Sequence, residues 1–185
     1  YSPFPDIEER IARQQTGSYF PVAFKDMQCK KEFVHLEENS SYNIDSVKIT
    51  NMEMYHPGRS FGYRISCNGR SVVYATDSEY KDLSSQGVGR YIEFFKETDL
   101  LIFDAQYSLG ETIHKEDWGH SSSIIGIDIA VEAGVKQLAL FHHEPENTDR
   151  TLLAMLNEAL RYKKINYPGI PLEIFLATEG LEVIL

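Results

Sequence analysis

Residues 118–143 read WGHSSSIIGIDIAVEAGVKQLALFHH, and this stretch decides the fold class. Ser121–Ala133 carries apolar residues at helical spacing and is followed by Gly134, a natural helix stop, so we expect a helix here. Gln137–Phe141 is a short, almost continuous apolar run, which is typical of a strand buried in a parallel sheet. A helix that leads into a buried strand predicts an α/β fold.

The pattern continues on both sides of this stretch. Further helices are predicted at Asp6–Gln15, Val88–Lys96 and Asp149–Tyr162. Further strands are predicted at Lys31–Leu36, Val47–Tyr55, Phe61–Ser66, Ser71–Ala75, Asp99–Asp104, Leu172–Ala177 and Leu181–Leu185. The link Asn68-Gly69 is a strong hairpin signal between two of them. We therefore expect one domain over residues 1–185, with a mixed sheet whose helices cover one face.

The bulk composition narrows the class of protein. A net charge of −10 argues against broad, non-specific adhesion to nucleic acid. The two cysteines, Cys29 and Cys67, form no C-x-x-C pair, and a reduced cytoplasmic protein is the plain expectation. No apolar run approaches the roughly 20 residues of a membrane span, so we expect no membrane partner. Since the chain starts at Tyr1 without an initiator Met, we expect a fragment or a processed piece.

Residues that can bind a metal ion stand directly after predicted strands. His56, Asp77 and His142 each follow a strand, and His120 precedes the helix of the opening stretch. Each residue alone has an ordinary interpretation, as a turn residue, a helix cap or a polar strand end. Strand ends in α/β folds converge on one rim, and imidazole with carboxylate is the ligand set of zinc, manganese or iron. From residue types and spacing alone, a shared metal site and a set of separate turn and cap residues therefore both stay open.

The order of five sequence blocks then identifies a family resemblance. The chain resembles the metallo-β-lactamase superfamily from about Tyr19 to Leu185, and most of all its branch of ribonuclease Z and the cyclic-phosphate phosphodiesterases. The blocks are HPGRSFGYRI (56–65), VVYATD (72–77), LIFDAQY (101–107), WGHSS (118–122) and LALFHH (138–143). The resemblance implies the C-terminal part of an αββα sandwich.

The resemblance also implies roles for single residues. His56 matches a ligand of the first metal, Asp77 the carboxylate that bridges two metals, and His142 a ligand of the second metal. His120 matches the histidine that holds the scissile phosphate or protonates the leaving group. Asp104 is a candidate for orienting a histidine from behind. The implied activity is metal-dependent hydrolysis, and the expected reaction is cleavage of a phosphodiester by a metal-bound hydroxide. Zinc is the favoured divalent ion of the two-ion site, with manganese and iron as alternatives.

One departure from the family is large. The signature His-x-His-x-Asp-His, which supplies four ligands, is absent from the 185 residues. We therefore expect this chain alone to hold little or no metal and to be inactive. Two alternatives stay open: a non-catalytic binding or regulatory module of the same fold, and a hydrolase of lactams, lactones or thioesters. The expected partners are a phosphorylated small molecule or a nucleic acid as substrate, and a second copy of the chain in a homo-oligomer.

Overall fold

A computed structural model describes residues 1–84 and 86–185 of the chain. Contacts group the chain into two compact units, Tyr1–Ser40 and Ser41–Leu185. A single domain over residues 1–185 stays a prediction. Among the described residues, no helix combines the length and the apolar character that crossing a membrane requires.

The first unit contains little regular structure. Helix α1 (Ile7–Gln14) confirms the first predicted helix, and a short 3-10 turn follows at Phe24–Asp26. The strand predicted at Lys31–Leu36 is wrong, because this segment forms only an isolated bridge between Ser2 and His35. A single bridge satisfies few backbone groups, whereas a strand needs a neighbour along its length.

The second unit contains a seven-stranded sheet whose strands lie in chain order. The first four strands pair antiparallel and the last four pair parallel, which gives the mixed sheet that the sequence predicts. The strands are β1 (Ser41–Ile44), β2 (Val47–Met54), β3 (Ser60–Cys67), β4 (Arg70–Ala75), β5 (Leu100–Asp104), β6 (Gln137–Phe141) and β7 (Glu173–Leu176). The helices are α2 (Ser85–Phe95), α3 (Leu109–His114), α4 (Ser123–Glu132) and α5 (Asp149–Asn166).

The turn between β3 and β4 confirms the predicted hairpin. Asn68 and Gly69 both have positive φ angles, 50° and 75°, as a two-residue turn of type I′ requires. Cys67 then pairs with Arg70 at the base of the turn. This hairpin reverses the chain so that β4 can begin the parallel part of the sheet.

The core lies on one face of the sheet. Val73, Phe103 and Leu140, which alternate with outward residues along their strands, are 1% exposed or less and cluster with Ile127 of α4. Helices α2, α4 and α5 pack side by side over this face. On the opposite face Tyr74 is 40% exposed, and it lines a largely apolar groove together with Ile102, Ala139, Phe141 and Phe175.

The strand predicted at Leu181–Leu185 is wrong. The chain turns at Thr178, whose carbonyl accepts the amide N–H of Leu181, and the last residues pair with no strand of the described chain. Ile184 is 94% exposed. Leu181 and Val183 of this segment line the groove beside Tyr74, so its apolar residues contact a face of the sheet without adding a strand to it.

Candidate metal centre

The chain reverses direction twice between β2 and β4, so that β2, β4, β5 and β6 all end at the same edge of the sheet. His56, Asp77 and His142 follow the ends of β2, β4 and β6 within two residues, and Asp104 is the last residue of β5. His120 lies in the loop that leads into α4. The sheet topology thus brings all five candidate residues to one rim, which we call the histidine rim.

Two histidines approach the same oxygen of Asp77. His56 Nε2 lies 3.7 Å from Asp77 Oδ1, and His142 Nε2 lies 3.4 Å from it. Both distances exceed the roughly 2.7–3.2 Å of an N–H···O hydrogen bond. Two ligand atoms that are each about 2.1 Å from a tetrahedral ion lie about 3.4 Å apart. The spacing and the donor types therefore fit a divalent transition metal.

His120 lies between His56 and His142. Its ring centroid is 5.3 Å from that of His56 and 5.0 Å from that of His142, and it stacks on the latter. The ligand atoms of His56, Asp77 and His120 lie within 4.8 Å of one another, and so do those of Asp104, His120 and His142. His120 is thus the residue that the two groups share.

The backbone at two of these residues is left-handed. Asp77 has a φ of 54° and His142 a φ of 57°, a region that costs a non-glycine residue roughly 1–2 kcal/mol. At Asp77 the surroundings hold this conformation: its N–H donates to Asp104 Oδ2 at 2.9 Å, and its carbonyl accepts from Ser60 Oγ at 2.6 Å. These bonds aim the Asp77 carboxylate along the rim.

Asp104 connects several residues of the histidine rim through hydrogen bonds to its buried carboxylate. Its side chain is fully buried, and its Oδ2 accepts from the amide of Asp77 and from His120 Nδ1, both at 2.9 Å. Its Oδ1 accepts from the amides of Gln106 and Ser121, both at 3.2 Å. Because a carboxylate oxygen accepts, Nδ1 of His120 carries the proton, and Nε2 is left as the reactive nitrogen of that ring.

The contact with Asp104 also affects the pKa of His120. Burial, the largest single contribution, lowers its pKa, but the hydrogen bond to Asp104 and the charges of Asp104 and Asp77 together raise the pKa of His120 above its usual value. Burial instead lowers the pKa of the neighbouring His143, which belongs to neither of the two metal-capable groups. The rim therefore shifts the pKa values of these two neighbouring histidines in opposite directions.

A second carboxylate fixes the loop that carries His120. Glu79, which follows β4, accepts the amide N–H of Asp117 at 3.2 Å and that of Gly119 at 3.1 Å. The Asp117 carboxylate in turn accepts from Tyr55 Oη at 2.8 Å and pairs with Lys81. Loops after β2 and β4 and the loop before α4 are therefore bonded to each other.

Gly119 is where these loops touch most closely. A Cβ atom on Gly119 would lie 2.3 Å from His56 Cδ2 and 2.6 Å from Pro57 Cδ, and its φ is +85°. Only glycine fits this position without a shift of its neighbours. The His120 loop thus presses directly on the His56 ring.

The sequence reasoning did not single out Glu79 or Gly119. The available signal was weak: Glu79 stands two residues after Asp77, and Gly119 directly precedes His120. Arg64, in the GYR sequence of the first block, does not take part in the rim. Its guanidinium donates to the carbonyls of Phe94 and Lys96 and so stabilises the end of α2.

Comparisons with known proteins agree with this geometry. A profile of the family described as "Beta-lactamase superfamily domain" matches residues 9–143. Ribonuclease Z of Prochlorococcus marinus (strain NATL1A) is 35% identical over 109 residues, which cover 55% of this chain and 32% of that protein. The probable metallo-hydrolase YhfI of Bacillus subtilis (strain 168) is 33% identical over 94 residues, which cover 51% of this chain and 35% of that protein. The chain spans about a third of the length of these curated relatives.

Solved structures share the fold. The crystal structure of YhfI from Bacillus subtilis matches with a TM-score of 0.68 at 21% identity, covering 95% of this chain and 61% of that chain. Human tRNase Z, short form, matches with a TM-score of 0.55 at 21% identity, covering 78% of this chain and 60% of that chain. Since the profile covers most of the chain and includes the whole histidine rim, the chain belongs to the metallo-β-lactamase superfamily, in its ribonuclease Z-like branch.

Proposed function

We propose that this chain contributes to a metal-dependent hydrolase that cleaves a phosphodiester. In this proposal His56, Asp77 and His142 are metal ligands, and His120 acts on the phosphoryl group. The observation that carries the proposal is the approach of two imidazole Nε2 atoms to one Asp77 oxygen at 3.7 and 3.4 Å. Ribonuclease Z and metallo-hydrolase relatives support the same class of chemistry.

Each side chain of the rim has its own role in the proposed reaction. When bound, divalent ions supply a water of lowered pKa and neutralise charge on the phosphate. Asp77, His56 and His142 would hold the ions. Asp104 holds one His120 proton at Nδ1, so that in the imidazolium form Nε2–H can donate a hydrogen bond to a phosphoryl oxygen or give its proton to the leaving oxygen. The raised pKa of His120 increases the protonated fraction near neutral pH.

Metal binding is the first test, and it is run on this chain. Asp77→Asn and His142→Asn remove a ligand while keeping a residue that tolerates a left-handed backbone. We expect fewer than two tightly held ions per chain by elemental analysis, and Co²⁺ binding that either variant weakens by about tenfold or more. His114→Asn, which changes an exposed histidine at the end of α3, is the matched control. Equal Co²⁺ binding in all four proteins would contradict the ligand assignment, and two tightly held ions per chain would contradict the expectation that the absent signature limits metal binding.

Hydrolysis is the second test. The longest product of the natural reading frame is supplied with Zn²⁺ or Mn²⁺ and given a chromogenic phosphodiester, a β-lactam, a lactone or a thioester. We expect the phosphodiester to be cleaved fastest, and the rate to fall by about 10²-fold or more in His120→Gln, as for the loss of a general acid. Preference for another substrate would support the lactam, lactone or thioester alternative. Bound metal without any hydrolysis would support the non-catalytic module.

A further inference from the structure

A lysine lies between two aromatic rings beside His120. Lys115 Nζ is 4.1 Å from the ring centroid of Tyr107 and 5.8 Å from that of Trp118. Tyr107 is buried and meets the His120 ring edge-on, with 5.8 Å between centroids. Cation–π attraction therefore holds the ammonium group one ring away from His120.

The ammonium group is only loosely neutralised. It pairs with Glu144 at 3.5 Å, longer than the roughly 2.7–2.9 Å of a charge-assisted hydrogen bond, and it also interacts electrostatically with Glu111. Glu144 already accepts a hydrogen bond from Gln106 Nε2 at 3.0 Å. The Lys115 side chain is 27% exposed, so an incoming anion can reach its N–H groups.

The Trp118 side chain is exposed and does not pack in the core. It is the chain's one tryptophan, it stands two residues before His120, and it is 61% exposed. Both of its neighbours are fixed, because Glu79 accepts the amides of Asp117 and Gly119. A large apolar ring on a firmly bonded loop is pre-organised for stacking and loses little entropy on binding.

We propose that Trp118 and Lys115 form a nucleotide subsite beside the histidine rim. A nucleobase of the substrate stacks on the Trp118 indole, and an adjacent phosphate pairs with the Lys115 ammonium group. Aromatic stacking with a nearby cation is the usual way in which proteins hold single-stranded nucleic acid. The inference rests on the proposed function and narrows its substrate class from any phosphodiester to one that carries a base.

The subsite can be tested without metal and without turnover, because the chain has one tryptophan as its own reporter. Adenosine 5′-monophosphate, adenosine and ribose 5-phosphate are titrated in the presence of a chelator while Trp118 emission is followed. We expect saturable quenching by the nucleotide, about tenfold weaker binding of adenosine, and no quenching by ribose 5-phosphate. Lack of quenching by the nucleotide, or equal effects of the nucleotide and ribose 5-phosphate, would overturn the subsite.

Variants separate the two contacts. Lys115→Gln is expected to weaken nucleotide binding by about tenfold, and Lys115→Arg is expected to restore it, because arginine keeps the charge and stacks on Tyr107. Lys164→Gln, which removes an exposed lysine of α5, is the matched control. Trp118→Phe, followed by calorimetry, is expected to weaken binding less than Trp118→Ala does. Equal affinity in Lys115→Gln and Lys164→Gln would refute the role of Lys115. Since the titration is metal-free, its failure leaves the proposed metal ligands untouched.

Discussion

Replacing Asp104 by asparagine tests how far one buried carboxylate holds the histidine rim together. The two oxygens of Asp104 accept five hydrogen bonds, from four backbone amides and the His120 ring, of which the one from Ser78 is the longest at 3.4 Å. An asparagine keeps the shape but has one oxygen and one NH₂ group. If the oxygen stays toward Asp77 and His120, the NH₂ group faces the amides of Gln106 and Ser121.

The cost follows from these two amides. Each buried donor left without an acceptor costs roughly 1–3 kcal/mol, and Ser121 is 1% exposed whereas Gln106 is half-buried. We expect Asp104→Asn to lower the free energy of unfolding by about 2–4 kcal/mol. With a urea m-value of roughly 1–3 kcal/mol/M, the midpoint of unfolding falls by about 1–2 M. A protein of ordinary stability, roughly 5–15 kcal/mol, survives this change.

The assay is urea unfolding followed by circular dichroism, with m-values compared between variants. Asp45→Asn is the control, because Asp45 is exposed and has a φ of 50° that asparagine also adopts. We expect the control to change stability by less than about 0.5 kcal/mol. If Asp104→Asn shifts the midpoint no more than Asp45→Asn does, then the hydrogen bonds of Asp104 do not hold the rim.

Three further predictions concern other parts of the second unit. Gly119→Ala places a Cβ against His56, so Zn²⁺ affinity measured by chelator competition should fall by about tenfold; unchanged affinity would show that the loop yields. Hydrogen bonds from Lys136, the amide of Ser71 and Arg70 lower the pKa of the Asp99 carboxyl to about 2. Its stabilisation is therefore full above the unfolded pKa near 4 and is lost as pH falls toward 2, and acid titration of Asp99→Asn should lack this loss. Tyr74 lies on the exposed apolar face of the sheet, and we expect the chain to self-associate there; analytical ultracentrifugation should show more monomer for Tyr74→Lys, and equal distributions would exclude this face.

The central part of the fold was predictable because its patterns are strong. The strand Gln137–Phe141 has the predicted bounds, and the helix predicted at Ser121–Ala133 is observed at Ser123–Glu132. Helix ends depend on single caps, here the Ser122 side chain that accepts from Ile125, so boundaries shift by one or two residues.

Weakly patterned elements were missed or misplaced. β1 has the sequence SYNI, and its strand conformation comes from pairing with β2, which a local pattern does not contain. α3 has only six residues and was not predicted, although Ser108 and Glu111 form a capping box that indicates a helix start. At Lys31–Leu36 the pattern favoured a strand where no partner strand is available among the described residues.

The candidate site was predictable as a set of residues and not as a geometry. Strand ends identified His56, Asp77 and His142, since residues at that edge must converge. The sequence does not encode in any short window that Glu79 bonds the loop before His120, because the two segments are about 40 residues apart. Contacts of this kind appear only when the sheet order is known.

The left-handed backbone at Asp77 and His142 also limits which substitutions these two positions tolerate. Asparagine and glycine adopt this conformation readily, whereas valine, isoleucine or threonine at either position adds backbone strain to the loss of the proposed ligand. A gene that stops needing the metal therefore reaches asparagine or glycine at these two positions with the least damage to folding. Such a lineage would keep the sheet and its loops in place while its chemistry disappears, and only the identity of two residues would record the change.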